Sequence, residues 1–361
     1  MEKLYVGGAK LNSEKKVPDG QFVEWGNEKF YQIRNYDLMD PFFISIASDS
    51  NHWMYISSTG GLTAGRKNPD TAIFPYYTDD KIHESAENTG SKTLIRVKIN
   101  NQTNLWEPFS NRYQGIYRLE RSIMKSTIGN KIIFTEKNLD LNLTFGYSWM
   151  NSNEFGWIKK SWLINHSKQY VETTVVDGLQ NILPYGVNQF TQSKFSTLVD
   201  AYKKSEIVSD ASLALFRMES IMVDRAEPSE ALRVTSVWNT GFENASFLLS
   251  SKQLDSFRNG GTIAPEQESK GTRGSFFVFG NLQLNPASEK TWYFVAEVNQ
   301  DLFKINNLRA FIQTNKNIAQ ILENSVKKGD QALVSIVKQA DGIQYTRSEE
   351  RRVGKECRSR W

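Results

Sequence analysis

The densest concentration of side chains able to do chemistry lies between Ser50 and Glu84. The run Asn51-His-Trp-Met-Tyr-Ile-Ser-Ser-Thr-Gly-Gly-Leu-Thr-Ala-Gly-Arg-Lys67 is followed by Phe74-Pro-Tyr-Tyr-Thr-Asp-Asp80. Sugars are recognised by this mixture of aromatic faces for C–H surfaces and charged groups that bind neighbouring hydroxyls in pairs. The spacing predicts a strand into Gly60-Gly61, a return through Leu62–Gly65, and a long loop carrying Arg66, Lys67, Tyr76, Tyr77, Asp79 and Asp80. Those six are the candidate substrate-proximal residues. The same composition also fits a β-hairpin whose solvated loop is pinned by aromatics.

No catalytic group stands out. Cleavage of a glycosidic bond by two carboxyls needs them roughly 5–10 Å apart across the substrate. Asp79 and Asp80 are adjacent, and neighbours on an extended chain point to opposite faces, so a dyad is not expected. His52 and His83 are the other acid–base candidates, with a structural role the simpler expectation. Gly60, Gly61 and Gly65 lack the strand–helix context and spacing of a phosphate-binding loop. Trp106, Trp157, Trp162, Trp238 and Trp292 are possible sugar platforms, although most tryptophans of a sandwich belong to its core. The polar segment Asp224–Glu230 carries no chemical signature.

Composition narrows the function classes. With 44 basic against 40 acidic residues the net charge is +4, no lead towards nucleic acid or lipid. One cysteine excludes a disulfide framework and any cysteine-based zinc cluster, and three histidines leave little for a metal site. No run of about 18 apolar residues exists to span a membrane. The opening Met1–Gly8 has no apolar stretch of signal-peptide length, so a cytoplasmic protein is expected. The Asn-x-Ser/Thr sequons at Asn101, Asn142, Asn165 and Asn244 are then chance matches.

Residues 347–361 break with everything before them. Arg347-Ser-Glu-Glu-Arg-Arg-Val-Gly-Lys-Glu-Cys-Arg-Ser-Arg-Trp361 has no period and holds the only cysteine. It resembles a translated sequencing adapter whose opening codons AGA-TCG-GAA-GAG read Arg-Ser-Glu-Glu. Without its six basic and three acidic residues the net charge is near +1. The expectation is that the natural reading frame is interrupted near Thr346.

The elements that must position these side chains are mostly strands. Leu139, Leu141, Leu143, Phe145, Tyr147 and Trp149 alternate with polar or small residues, predicting a strand with one buried and one wet face. Tyr117–Ser126 and Lys131–Lys137 flank a hairpin turn at Thr127–Asn130. Further strands are expected at Phe42–Ala47, Trp53–Ser57, Thr93–Lys98, Trp157–Ile164, Tyr170–Gly178, Ala214–Val223, Ser275–Phe279 and Trp292–Val298. So many strands with few helices predict a mainly β, antiparallel sandwich. Helical spacing occurs within Ser193–Ser205, and again from Asn306 to Gln339 with a break at Lys327–Asp330. That divides the chain into an extension over 1–20, a β-domain over 21–301, helices over 302–346 and the tail.

Trp53–Gly65, the basic and aromatic loop after it, the run of strands and the terminal helices together resemble the N-terminal β-domain of inverting glycoside phosphorylases. The cellobiose and chitobiose phosphorylases of glycoside hydrolase family 94 are the nearest types. The likeness covers about residues 20–340 and rests on Ser57–Asp80, Tyr113–Trp162 and Asp177–Gly186, without a catalytic motif.

It implies a galactose-mutarotase-like β-supersandwich whose linker helices lead to an (α/α)6 barrel. That barrel holds the general acid and the site for inorganic phosphate, the co-substrate; no other cofactor is implied. A disaccharide or oligosaccharide would be the substrate, a homodimer the assembly, and the Arg66–Asp80 loop the part reaching towards the barrel. This chain lacks the barrel, so no residue here is assigned as the catalytic Asp and the chain alone is expected to be inactive. The apolar stripe of Asn306–Gln339 would face the absent domain, and changing Ile318 and Ile321 to Ser would raise solubility. The rival expectations are a stand-alone carbohydrate-binding or structural sandwich and an aldose epimerase. The epimerase would need a His pair and a carboxylate on one sheet face, a pattern that His52, His83 and His166 do not match.

Overall fold

The computed structural model describes residues 4–6, 8–12, 16–99, 101–208, 210–220 and 231–340. The Asp224–Glu230 segment, the interruption near Thr346 and the 347–361 tail lie outside the described residues.

The mainly β, antiparallel architecture read from the sequence is the one observed. An eleven-stranded sheet runs in the order Glu268–Lys270, Lys203–Val208, Leu213–Met218, Val234–Thr240, Glu289–Gln300, Gly156–Asn165, Leu143–Ser152, Ile132–Asn138, Leu119–Ser126, Glu28–Arg34, Asp19–Trp25. A five-stranded sheet (Gln102–Trp106, Gly90–Ile99, Val171–Ile182, Gly274–Leu284, Ser246–Leu248) lies against it. A four-stranded sheet (Phe43–Ile46, His52–Ser57, Leu62–Arg66, Ala72–Phe74) closes the sandwich. One continuous core joins Phe145, Trp149, Trp157 and Trp292 of the large sheet to Ile95, Val175 and Phe276 of the second and Met54 and Leu62 of the third.

Period-two alternation misleads at one point. Leu139–Asn142 is a turn, and the strand starts at Leu143. Asn138 accepts hydrogen bonds from the amides of Asp140 and Leu141, and Asn142 sits at φ 52°, so an Asx turn tucks Leu141 into the core in step with the strand pattern. Nor is one face wet. Phe145, Tyr147 and Trp149 enter the sandwich core, while Met150 on the other face packs under the terminal helices. Gly146 leaves room for the Trp162 ring, which a Cβ would meet at 2.4 Å.

The described residues include five α-helices: α1 Asp79–Glu84, α2 Gln189–Ala201, α3 Leu254–Arg258, α4 Leu302–Thr314 and α5 Ile318–Gln339. α2 begins four residues earlier than its apolar spacing suggests, because the Asn188 side chain caps the Thr191 amide. It ends at Ala201 because the chain then enters the strand Lys203–Val208. The terminal helices break at Asn315–Asn317, not at Lys327–Asp330, and α5 runs through Gly329 without interruption. Asp330 is held there by Asn130 Nδ2 at 2.5 Å and Lys131 Nζ at 2.6 Å.

The expectation that the terminal apolar stripe faces an absent domain is overturned. Ile305, Ile318, Leu322 and Val326 are buried against Met150, Ile158, Leu213, Trp238, Tyr293 and Val295. The outer face of the large sheet is itself apolar at these positions, and the two helices are its cover. Ile321 is half-buried.

Candidate functional site

The hairpin predicted around Gly60-Gly61 is present, with His52 opposite Arg66, Trp53 opposite Gly65 and Tyr55 opposite Thr63. Gly60 takes φ 96°, a left-handed turn conformation open to glycine. Gly61 is needed for close approach, since a Cβ there would lie 2.1 Å from the Ile82 carbonyl oxygen of α1. The glycines therefore seat α1 on the hairpin; they form no phosphate loop.

The six candidate residues do not converge. Asp79 and Asp80 open α1 instead of lying in an extended loop. Both are exposed at its N-terminus, where carboxylates favour the helix dipole. The Thr78 hydroxyl, donating to Asp80, holds that carboxyl below its usual range, with the Lys81 amide adding to it. Tyr77 turns inward and its hydroxyl accepts from Asn181 Nδ2 at 3.4 Å.

Tyr76 joins an aromatic row on the outer face of the four-stranded sheet. Its ring meets Trp53 edge-on at 5.7 Å, Trp53 lies 6.3 Å from Tyr55, and Tyr55 stacks 5.3 Å from Phe43. Tyr76 is 38% and Phe43 39% exposed, so the row faces solvent at both ends. Gly65 makes the row possible, because a Cβ on it would strike the Trp53 ring at 2.7 Å.

Arg66 and Lys67 belong elsewhere. Arg66 forks onto both carboxylate oxygens of Glu297 and reaches Asn51 Oδ1 at 3.0 Å and the Asn153 carbonyl at 3.1 Å. With Lys67 it borders a cavity of about 570 Å³ between the end of the large sheet and α4. Glu297, Ser236 and Trp238 form its sheet wall, residues that nothing in the local sequence ties to Arg66. The only signal available is residue type, and Trp238 alone was a sequence candidate. Trp106, Trp157 and Trp292 are core, and Trp162 is buried on the outer face of the large sheet, where Trp25 lies against it.

The histidines take structural positions. His83 Nδ1 lies 2.7 Å from Ser57 Oγ, which also accepts from the Thr59 amide and lies 2.9 Å from the Thr59 hydroxyl. Ser57 is fully buried, so this pair pins α1 to the hairpin. His52 opens the strand that Ser57 closes, placing the two imidazole anchors roughly 17 Å apart along it. That spacing does not suit a His pair acting on one sugar. His166 Nε2 pairs with the Thr144 hydroxyl at 2.8 Å. Among the described residues no group of three or more His, Cys, Asp or Glu is placed to hold a metal ion. No described helix is long and apolar enough to cross a membrane.

His52 carries a testable pH dependence. It is 6% exposed, its Nδ1 lies 2.8 Å from Ser50 Oγ, and Trp157 meets it edge-on at 5.5 Å. Burial first, and the Arg66 charge second, push its pKa down to about 3. The folded state thus favours neutral imidazole, and the stability it carries is complete above the unfolded value near 6.5 and is lost as pH falls from there towards 3. Between pH 7 and 5, where carboxylates titrate little, the wild type should lose about 1–2 kcal/mol more stability than His52→Gln. Urea midpoints for both proteins across that window check it. Parallel curves would mean that the imidazole takes up its proton as readily in the folded state as in the unfolded one.

No protein-family model and no curated protein matches the chain. Solved structures with a similar course include a bacterial glucoamylase complexed with acarbose (8% identity, TM-score 0.44, covering 90% of this chain and 39% of that one). A human-microbiome protein assigned as a kojibiose phosphorylase gives 12% identity and TM-score 0.37, covering 66% and 27%. A protein from Klebsiella pneumoniae assigned as an aldose 1-epimerase gives 10% and 0.35, covering 83% and 92%. The chain thus spans well under half the length of the glucoamylase and the phosphorylase.

Proposed function

We propose that this chain is the carbohydrate-binding β-domain of a larger cytoplasmic carbohydrate-active enzyme of the inverting disaccharide phosphorylase type. It binds and positions saccharide without a catalytic group of its own. A separate (α/α)6 barrel would supply the general acid and the site for inorganic phosphate, and a homodimer is the proposed assembly. The observation that supports carbohydrate binding is the aromatic row Phe43–Tyr55–Trp53–Tyr76, laid on a sheet face and open to solvent. Such rings offer flat apolar surface to the C–H faces of pyranoses. Asp70, exposed in the turn after the hairpin, supplies a carboxylate for sugar hydroxyls.

Titration of the chain with cellobiose and maltose, followed by calorimetry, tests the binding. Each ring contact contributes about 0.5–1.5 kcal/mol, so Trp53→Ala combined with Tyr76→Ala should weaken affinity roughly tenfold or more while the fold persists. Saccharide binding that ignores both substitutions removes the row from the reading, and no binding at millimolar sugar removes the carbohydrate reading itself. Phosphate-dependent release of a sugar 1-phosphate by the enzyme that carries this domain separates phosphorolysis from hydrolysis.

A further inference from the structure

The cavity beside α4 has no part in the aromatic row, and its chemistry is different. We propose that it is a second saccharide site, built for an uncharged pyranose unit. The proposal rests on the carbohydrate reading above for the class of ligand and on the cavity alone for the place and the charge preference.

Ser236 is the first observation. It stands directly across from Glu297 in the sheet, lines the cavity, is fully buried, and its hydroxyl has no hydrogen-bond partner. Buried hydroxyls without partners are rare, because desolvation is then uncompensated. A ligand hydroxyl in the cavity would be its partner.

The walls give the second. Phe155, Trp238 and Phe311 close a triangle of rings with centroids 6.4, 6.2 and 5.4 Å apart, contributed by a turn, a strand and α4 respectively. Around that apolar wall stand carboxamides: Asn51, Asn153, Asn299, Gln300 and Asn307. A carboxamide both donates and accepts, the complement of a hydroxyl group. Asn51 and Asn299 already accept from Arg66 and Arg233, and Gln300 donates to the Val298 carbonyl, so Asn153 and Asn307 offer the fuller set. The volume of about 570 Å³ is in the range of small-molecule sites.

The charges around the cavity favour a neutral sugar. Among the described residues lining the cavity the guanidinium is that of Arg66, already committed to Glu297, Asn51 and the Asn153 carbonyl. It is therefore no clamp for a phosphate or a uronate. Lys67 and Lys304 stand exposed at the border, and exposed Glu154 offsets them on the same border. Among the described residues lining the cavity no buried cation is left unpaired for an anionic ligand.

The test is calorimetry of the full chain with cellobiose and maltose as neutral probes and glucose 1-phosphate and glucuronate as charged ones. Two neutral sugars should bind per chain. Ser236→Ala should weaken one of them roughly tenfold and leave the other, which Trp53→Ala combined with Tyr76→Ala weakens instead. Asn307→Ala, on the exposed surface of α4, should act as Ser236→Ala does and guards against a folding effect at the buried position. If both cavity variants bind two neutral sugars as the wild type does, the second site is overturned and the carbohydrate reading stands. Preferential cavity binding of glucose 1-phosphate or glucuronate overturns the assignment of an uncharged ligand. If no probe binds anywhere, the carbohydrate reading falls and this site with it.

Discussion

Replacing Lys159 by Met should lower the free energy of unfolding by about 3–5 kcal/mol, and Asp177→Asn should cost a similar amount. The two residues form an ion pair of 2.7 Å in the middle of the sandwich, with neither side chain exposed at all. Asp177 stands on the five-stranded sheet and Lys159 on the eleven-stranded one, so the pair spans the two layers. The carboxylate also accepts from the Trp292 indole at 2.8 Å and the Thr93 hydroxyl at 2.6 Å. The ammonium lies 5.0 Å from the Phe294 ring and 5.4 Å from that of Tyr147. Burial draws the lysine's pKa down and Asp177 opposes it, so the charge survives only while the partner is there. Removing either leaves a charge with no water to solvate it. Lys159→Met together with Asp177→Asn should be less damaging than the sum of the single changes, because the asparagine still accepts from Trp292 and no isolated charge remains. Urea unfolding of the four proteins measures the coupling. Additive losses would mean that the pair does not interact across the layers.

That pair could not have been read from the sequence. Lys159 looks like any lysine in an alternating strand, and Asp177 like one polar residue in another. What was legible was everything carried by local period and turn chemistry: the strands around Trp157–Ile164 and Trp292–Val298, the Thr127–Asn130 turn with Gly129 at φ 79°, and the hairpin over Gly60-Gly61. Where the sequence misled, a local rule was answered by a distant group. The Lys327–Asp330 break looked like the end of a helix because it places a glycine among charges. Asp330 instead finds Asn130 and Lys131 two hundred residues earlier, and α5 continues. The same holds at the site. Composition marked Arg66 and Tyr76 as one loop, yet Arg66 belongs with Glu297 and Tyr76 with Trp53. Ser236 gave no signal at all, since an orphaned hydroxyl is a property of its surroundings.

Leu322→Ala should destabilise the chain by about 2–5 kcal/mol, and Ile318→Ser should reduce soluble yield, not raise it. Leu322 is fully buried and Ile318 is 7% exposed, both in the cluster that α4 and α5 make with Trp238, Val295 and Tyr293. A truncated leucine leaves a cavity between helix and sheet, and a serine brings a hydroxyl into an apolar seam with nothing to bond. α5 is further tied to the sheet by Glu323, which takes the Lys160 ammonium at 2.8 Å and the Tyr293 hydroxyl at 2.9 Å. The polar ties orient the helix, while the apolar seam supplies most of the attachment. Had the stripe faced an absent domain, Ile318→Ser would have removed exposed apolar surface and improved solubility. Soluble yield and melting temperature of the two variants therefore distinguish a helix that belongs to this sandwich from one that belongs to something else. The cavity responds to the same change. Trp238 and Phe311 serve both the seam and the proposed pyranose wall, so Leu322→Ala should weaken neutral sugar at the cavity while leaving the aromatic row on the hairpin unaffected.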